Sequence, residues 1–237
     1  MRVKPNIVRF IAVMNDAACT FIYMDFAPIG SFANLLTLSL PRDLPDCALR
    51  PLLNQSLSAL GYLHDQSISH NNIRPESILV QSLQPFQICL CNFERAAVEG
   101  IGEGSTEQDI LDVGIMTLVA LACLPWQGLS INSVTVDLPL SQQLSGAIDM
   151  IAHRPYNALL EGLVRFDPAL RLKAGEALRH DWLHLPPTVG KRRRSVVAAV
   201  EYAEGGRNKR PCKASDIQQA ACARNQAPRR SVLCNII

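Results

Sequence analysis

The stretch LSALGYLHDQSISHNNIRPESILV, residues 57–80, decides the reading of this chain. It closes a longer run, CALRPLLNQSLSALGYLH at 47–64, in which Leu49, Leu52, Leu53, Leu57, Leu60 and Leu63 recur at helical spacing. Apolar residues three and four apart share one face of a helix, so the run predicts an amphipathic helix with a buried stripe. The loop ISHNNIRPE breaks that period. Two short apolar runs follow, SILV and FQICLC, separated by QSLQP, and they read as a small hairpin.

Working toward the N-terminus, residues 6–14 and 20–26 are short and rich in β-branched and aromatic side chains. They predict two strands joined by a turn at Asn15–Asp16. APIGSFANLL then turns at Gly30–Ser31, with Ser31 placed to cap a short helix. Toward the C-terminus, DILDVGIMTLVALACL at 109–124 is apolar on nearly every face, which places a helix in the centre of a domain. YNALLEGLVRF at 156–166 and AGEALRHDWL at 174–183 predict two further helices. DPALRLK joins them, with Asp167 starting the turn and Pro168 inside it.

Of the 237 residues, 48% are apolar and 19% charged, enough to bury a core and to exclude wholesale disorder. The longest apolar run, Gly114 to Leu124, is too short to span a bilayer and ends at Pro125. MRVKPNIVRF has no apolar core of a secretory signal. Charge is divided unevenly. Residues 1–188 hold 12 Lys/Arg against 18 Asp/Glu, a balance of −6, whereas 189–237 hold 11 against 3, a balance of +8. A mildly acidic domain thus carries a basic tail, 189–237, whose poverty in large apolar residues reads as disorder. The eight cysteines form no C-x-x-C pair, which argues against a structural zinc site. Cys89 and Cys91 lie two apart and share one face of a strand; small buried thiols in a reducing compartment are the simple reading.

Taken in order, these pieces resemble a eukaryotic-type Ser/Thr protein kinase over residues 4–184. KPNIVRF resembles the strand after the family's regulatory helix, and TFIYMDFAPIGSFANLL resembles the hinge. The stretch at 57–80 resembles the long helix, catalytic loop and following strand. Asp109-x-x-x-x-Gly114 matches the start of the central helix, and LVRFDPALRLKAGEALRHDWL the closing helices with their Arg, here Arg171. The resemblance implies an α+β, protein-kinase-like fold. It would consist mostly of the helical large lobe at 28–188, with two remnant small-lobe strands and the hinge at 1–27. It also implies a vestigial nucleotide pocket at Met24 (the gatekeeper position), Asp25, Phe26, Ala27 and Leu79.

At the positions that carry chemistry the chain departs from the family. The H-R-D-x-K-x-x-x-N loop supplies an Asp that accepts the substrate hydroxyl's proton and an Asn that holds magnesium. Here it reads His70-Asn71-Asn72-Ile73-Arg74-Pro75-Glu76-Ser77. The Asp position is Asn72, an amide without basicity. The Lys position is Arg74, and the Asn position is Ser77. The D-F-G motif, whose Asp binds magnesium, reads Asn92-Phe93-Glu94, with only Phe93 retained. The sequence holds no G-x-G-x-x-G-x-V loop, no V-A-I-K lysine and no A-P-E, and only 16 residues separate Asn92 from Asp109. Without A-P-E, Arg171 is expected to pair with Glu99, Glu103 or Glu107, or to be solvated. His70 reads as structural rather than as a general base. Asp109 reads as a hydrogen-bond acceptor for the catalytic-loop backbone, as an N-cap, or as both.

These substitutions imply a catalytically inactive, pseudokinase-like chain acting as a binding or scaffold module, with no functional catalytic residue, no bound metal and no cofactor expected. The alternatives are an active Ser/Thr kinase transferring the ATP γ-phosphate with magnesium, and a decayed gene product without function. A protein partner is expected; contact with nucleic acid or membrane would run through the basic tail alone. KRRR at 191–194, with Arg207, Lys209, Arg210 and Lys213, resembles a nuclear-localisation or nucleic-acid patch, or is a solvated charge run. Ser195 and Ser231 follow basic residues, as basophilic-kinase sites do. The terminal Cys234-Asn235-Ile236-Ile237 fits C-a-a-X loosely. The expected location is intracellular, nuclear or cytoplasmic, and membrane-anchored if Cys234 is prenylated.

Overall fold

A computed structural model describes residues 6–15, 20–39, 44, 46–99, 102, 104–121 and 140–185. Asp16 of the first turn, residues 122–124 of the central run, Glu103, and the tail with Cys234 lie outside the described residues.

Strands β1 (Phe10–Asn15) and β2 (Thr20–Met24) pair antiparallel, with Phe10 opposite Met24 and an irregularity between Phe10 and Ala12. β1 begins later than its β-branched run predicts. The residues before it are pinned elsewhere: Ile7 bridges Leu90, and Val8 N donates to Leu90 O at 2.9 Å. Val8 is buried there with Cys89 and Cys91, so burial of one apolar side chain diverts the strand onto the main body. All six residues of β1 are exposed, including Phe10, Ile11, Val13 and Met14.

β3 (Gly30–Ser31) leads into α1 (Phe32–Ser39), and Ser31 Oγ accepts from Asn34 N at 3.3 Å, the cap expected from the sequence. α2 (Asp46–His64) buries its leucine stripe, with Leu49, Leu52, Leu53, Leu57 and Leu60 fully inaccessible. β4 (Ile68–Ser69) is followed by a 3-10 turn, Pro75–Ser77, and then by β5 (Ile78–Leu83) and β6 (Phe86–Leu90). β5 pairs with β3 on one side and β6 on the other, and β4 pairs with β7 (Ala97–Val98). The hairpin is longer than expected, because part of QSLQP joins its strands.

α3 (Thr106–Ala120) is the central helix, and every residue from Asp109 to Leu121 is buried. Its N-cap is Ser105, whose Oγ accepts from Gln108 N at 3.1 Å. Asp109 therefore lies inside the helix and is not its cap. Gly114 lets α3 approach its neighbour. A Cβ there would stand 2.5 Å from Val164 Cγ1 and 3.2 Å from Leu163 Cβ. α4 (Leu140–Met150) was not anticipated; α5 (Asn157–Leu163) was. The single helix expected at 174–183 is two short ones, α6 (Ala174–Ala177) and α7 (Asp181–His184). His180 separates them in an extended conformation, its Nδ1 accepting from Trp182 N at 3.3 Å. Trp182 thereby turns into the core and packs edge-on against Tyr156, ring centres 5.2 Å apart. Asp167 starts its turn as expected, with Oδ1 accepting from Ala169 N at 2.9 Å.

Candidate functional site

The loop after β4 hangs from one carboxylate. Asp109 is fully buried. Its Oδ2 accepts from His70 N at 2.8 Å, and its Oδ1 from Asn71 N at 2.7 Å. His64 Nε2, at the end of α2, lies 3.0 Å from Oδ2. α3 and α2 thus fix the start of the loop. A buried charge is tolerable when hydrogen bonds replace its hydration, as here.

His70 has both ring nitrogens committed. Asn72 N donates to Nδ1 at 3.2 Å, which makes Nε2 the protonated nitrogen, donating to Cys91 O at 2.9 Å. The ring is inaccessible and lies edge-on to Phe93, centres 4.7 Å apart. Burial, against the pull of the Cys91 bond and of Asp109, holds its pKa below the ordinary value. A neutral, fully paired imidazole is a structural element here, not a base.

Asn72 is buried, with Nδ2 facing Glu94 Oε1 at 3.5 Å. Ser77 Oγ donates to Asn72 O, so the hydroxyl braces the loop. Arg74 Nε meets Glu76 Oε2 at 2.8 Å in a solvent-exposed pair. Asn92 is half-buried and left-handed at φ 68°, a region that Asn tolerates better than most residues. Phe93 packs between His70 and Phe10, and Glu94 is exposed. The oxygens at positions 72, 77 and 92 belong to neutral amides and a hydroxyl. That set does not fit magnesium, which is held by hard, usually anionic, oxygens.

The five pocket positions divide. Met24 and Leu79 join Phe93 around Val8, Cys89 and Cys91 in a small apolar cluster. Burial pushes the Cys89 thiol up to about 11, aided by the Asp25 charge, so it is inert at neutral pH. Ala27 is buried, with its carbonyl accepting from Gly30 N at 3.2 Å. Asp25 turns outward to Arg9, whose Nη2 stands 2.9 Å from Oδ1, and Phe26 is 56% exposed.

Arg171 corrects the sequence expectation. It is buried rather than solvated, and among the described residues it takes carbonyls instead of the Glu99 or Glu107 side chain. Nη1 donates to Glu107 O at 2.6 Å, Nε to Arg165 O at 2.9 Å and Nη2 to Phe166 O at 3.2 Å. A guanidinium fork presents five donors in a plane, and three converging carbonyls take one N–H from each of its nitrogens without a carboxylate. The Glu107 carboxylate instead receives Ser105 Oγ at 2.9 Å.

Sequence reasoning missed Asn71. Its Nδ2 donates to Ser69 Oγ and to Arg95 O, each at 3.0 Å, and its Oδ1 accepts from Ser105 N at 3.3 Å. One amide thus ties the loop, the segment after Asn92 and the cap of α3 together. Its left-handed φ of 59° was legible only as an Asn-Asn pair, a weak turn signal. Gly104 lies so near that a Cβ would stand 2.7 Å from Asn71 Nδ2.

Comparison with known proteins agrees with this geometry. The protein kinase domain family matches residues 1–103. Serine/threonine-protein kinase ULK3 of Mus musculus is 25% identical, over 85% of this chain and 48% of that protein. RAD53 of Saccharomyces cerevisiae is 22% identical, over 77% of this chain and 26% of that one. The chain therefore spans about half the length, or less, of these curated relatives. The crystal structure of Rad53 kinase domain and SCD2 superposes with a TM-score of 0.65 at 22% identity, covering 84% of this chain and 80% of that one. The chain resembles the eukaryotic-type Ser/Thr protein kinases in sequence and has a protein-kinase-like α+β fold. Among the described residues no helix is long and apolar enough to cross a membrane.

Proposed function

We propose that this protein-kinase-like chain is a catalytically inactive pseudokinase that works as a binding or scaffold module. The observation that supports the reading best is the state of position 72. The proton acceptor of phosphoryl transfer is replaced by a buried amide whose Nδ2 faces Glu94, on a residue whose main-chain carbonyl is braced by Ser77. An amide does not take a proton at neutral pH, and loss of a general base lowers a rate by ~10²–10⁴-fold. Neutral donors at positions 77 and 92 remove metal affinity by a separate route. Two independent losses multiply. On this reading no nucleotide or metal cofactor is used. The partner is a protein, and the basic tail sets location: nuclear or cytoplasmic, or membrane-bound through a prenylated Cys234.

One contact favours the active alternative. Glu94 Oε1 lies 3.5 Å from Asn72 Nδ2, which brings a carboxylate beside the acceptor position. The experiment that separates the readings is incubation of purified protein with labelled ATP and magnesium or manganese, beside a Glu94→Ala variant. No incorporation above background is expected in either. Incorporation by the wild type that disappears in the variant overturns the inactive reading.

A further inference from the structure

A cavity of about 550 Å³ lies between α2 and the β5–β6 hairpin, open to solvent and lined by none of the loop-site residues. α2 contributes Arg50, Asn54 and Gln55 to it, β6 contributes Gln87, and α7 contributes Leu183. The edge of β6 that faces away from β5 is already occupied. Gln55 Oε1 accepts from Ile88 N and Gln55 Nε2 donates to Phe86 O, each at 2.9 Å, while Asn6 Nδ2 donates to Ile88 O at 3.3 Å. One glutamine thus satisfies a main-chain donor and acceptor as a neighbouring strand would. An occupant of the cavity is therefore read by side chains and does not join the sheet.

Arg50 is the one charged side chain among the described residues that line the cavity, and no Asp or Glu is among them. Its guanidinium lies 4.9 Å from the centre of the Trp182 ring, and Nη1 donates to Leu185 O, so the cation is held in place. Among the described residues no carboxylate forms an ion pair with it. Arg50 Nε is buried without a hydrogen-bond partner, and so is Nε1 of the Trp182 ring that it covers. Both are donors. Unpaired buried donors are costly, so this corner is short of an acceptor, and an anionic one suits a guanidinium best.

We propose that the cavity docks an extended peptide segment of a partner protein, with an Asp or Glu side chain of that segment paired to Arg50. The amides of Asn54 and Gln87 read its main chain, since each offers a donor and an acceptor, as a peptide group does. A carboxylate matches the planar fork of the guanidinium. The open shape suits a passing chain, whereas a small molecule needs to be enclosed. The inference rests on the binding-module part of the reading above and names the partner's chemistry; it does not depend on the loss of catalysis.

Affinity selection of a random peptide display library on the full chain tests this. Enriched peptides are expected to carry Asp or Glu at one fixed position and to lose affinity about tenfold or more in Arg50→Gln. They should lose it likewise in Gln87→Glu, which puts a carboxylate into the groove on an exposed side chain and keeps the test decisive should Arg50→Gln not fold. Acidic peptides also adhere to a basic tail. Binding that is unchanged in Gln87→Glu and shared by scrambled peptides of the same charge overturns the groove. Selection without acidic preference, or without enrichment, overturns it too. Tighter binding when phosphoserine replaces the acidic residue overturns the assignment to a carboxylate. The phosphoryl-transfer assay reads inactivity separately, so failure of one claim is told from failure of the other.

Discussion

Asp109 Oδ2 lies 2.8 Å from the backbone nitrogen of His70, so the loop that would do chemistry is positioned by a helix 39 residues further along the chain. Asp109→Ala leaves the His70 and Asn71 amides, and His64, without their acceptor. Stranded buried donors and a lost charged acceptor together cost roughly 3–5 kcal/mol. Asp109→Asn keeps one oxygen and is expected to lose about half of that. Urea unfolding checks both; a loss below ~1 kcal/mol for Asp109→Ala would show that the loop holds itself.

Two glycines are expected to respond with opposite sign to the same methyl group. Gly114→Ala drives a Cβ to 2.5 Å from Val164 Cγ1, where α3 meets the end of α5. Overpacking of that kind typically costs ~1–3 kcal/mol. Gly146, inside α4, has nothing within 4 Å of the added carbon. Gly146→Ala is therefore expected to stabilise by roughly 0.5–1 kcal/mol, by restricting the unfolded chain and favouring the helix. Paired thermal melts decide it, and equal effects would contradict the packing.

His70 and Asp112 predict opposite limbs in the pH profile of stability. Burial lowers the pKa of His70, so the unfolded chain binds more protons just below pH ~6.5. Its contribution is present above that pH and is lost as pH falls through the folded value. Burial pushes Asp112 up to about 7, so it acts the other way, its contribution fading as pH rises through that value. Below pH ~6.5 the two slopes oppose each other and largely offset in wild type. His70→Gln removes the rising one, so its melting temperature should fall more steeply from pH 5 toward about 7 than that of wild type. Equal slopes in the two proteins would place the responsible proton elsewhere.

β1 carries no charge, and Phe10, Ile11, Val13 and Met14 are all exposed. Among the described residues β1 pairs with β2 alone, and an uncharged apolar strand with an unpaired edge is a template for pairing with another chain. Concentration-dependent association is therefore expected in sedimentation, and Ile11→Lys with Val13→Lys should suppress it by placing charge on the strand. A double variant that associates as before would move the contact surface away from β1.

The elements legible in the sequence are those whose burial is decided by periodicity. The leucine stripe of 47–64 and the largely apolar run from Asp109 could be buried in only one way, and helices stand over both patterns where they are described. Ser31 and Asp167 were readable because capping is local chemistry. Arg171 was not readable, because its partners are main-chain carbonyls and main chain leaves no signature in residue types. Asn71 failed for a related reason. Its amide bridges residues 69, 95 and 105, brought together only by tertiary structure. α4 was missed because its buried residues, Leu144 and Ala147, are sparse among Ser, Gln and Gly. The chemical losses at Asn72, Ser77 and Asn92 were legible one by one. The bracing of Asn72 O by Ser77 and the approach of Glu94 were not.

Magnesium-ATP at 1 mM is expected to leave the melting temperature unchanged. A ligand stabilises the native state by RT ln(1 + [L]/Kd), so a Kd near 10 mM yields under ~0.1 kcal/mol, well below one degree. Weak binding is what the inactive reading proposed above expects of the site. Ser77 Oγ is engaged with the loop backbone, and Asn72 and Asn92 offer neutral amides where a divalent ion needs hard, charged oxygens. Glu94 is the nearby carboxylate, but it is exposed and faces Asn72. If it held the ion, the shift would require magnesium and would vanish in Glu94→Ala. A shift present with ATP alone and insensitive to magnesium would point instead to the base docking near Met24 and Leu79 without its phosphates being clamped. Differential scanning fluorimetry with ATP, with magnesium, and with both therefore sorts the outcomes. A clear magnesium-dependent rise of several degrees would overturn the metal-free reading of the site and return the active-kinase alternative to the front.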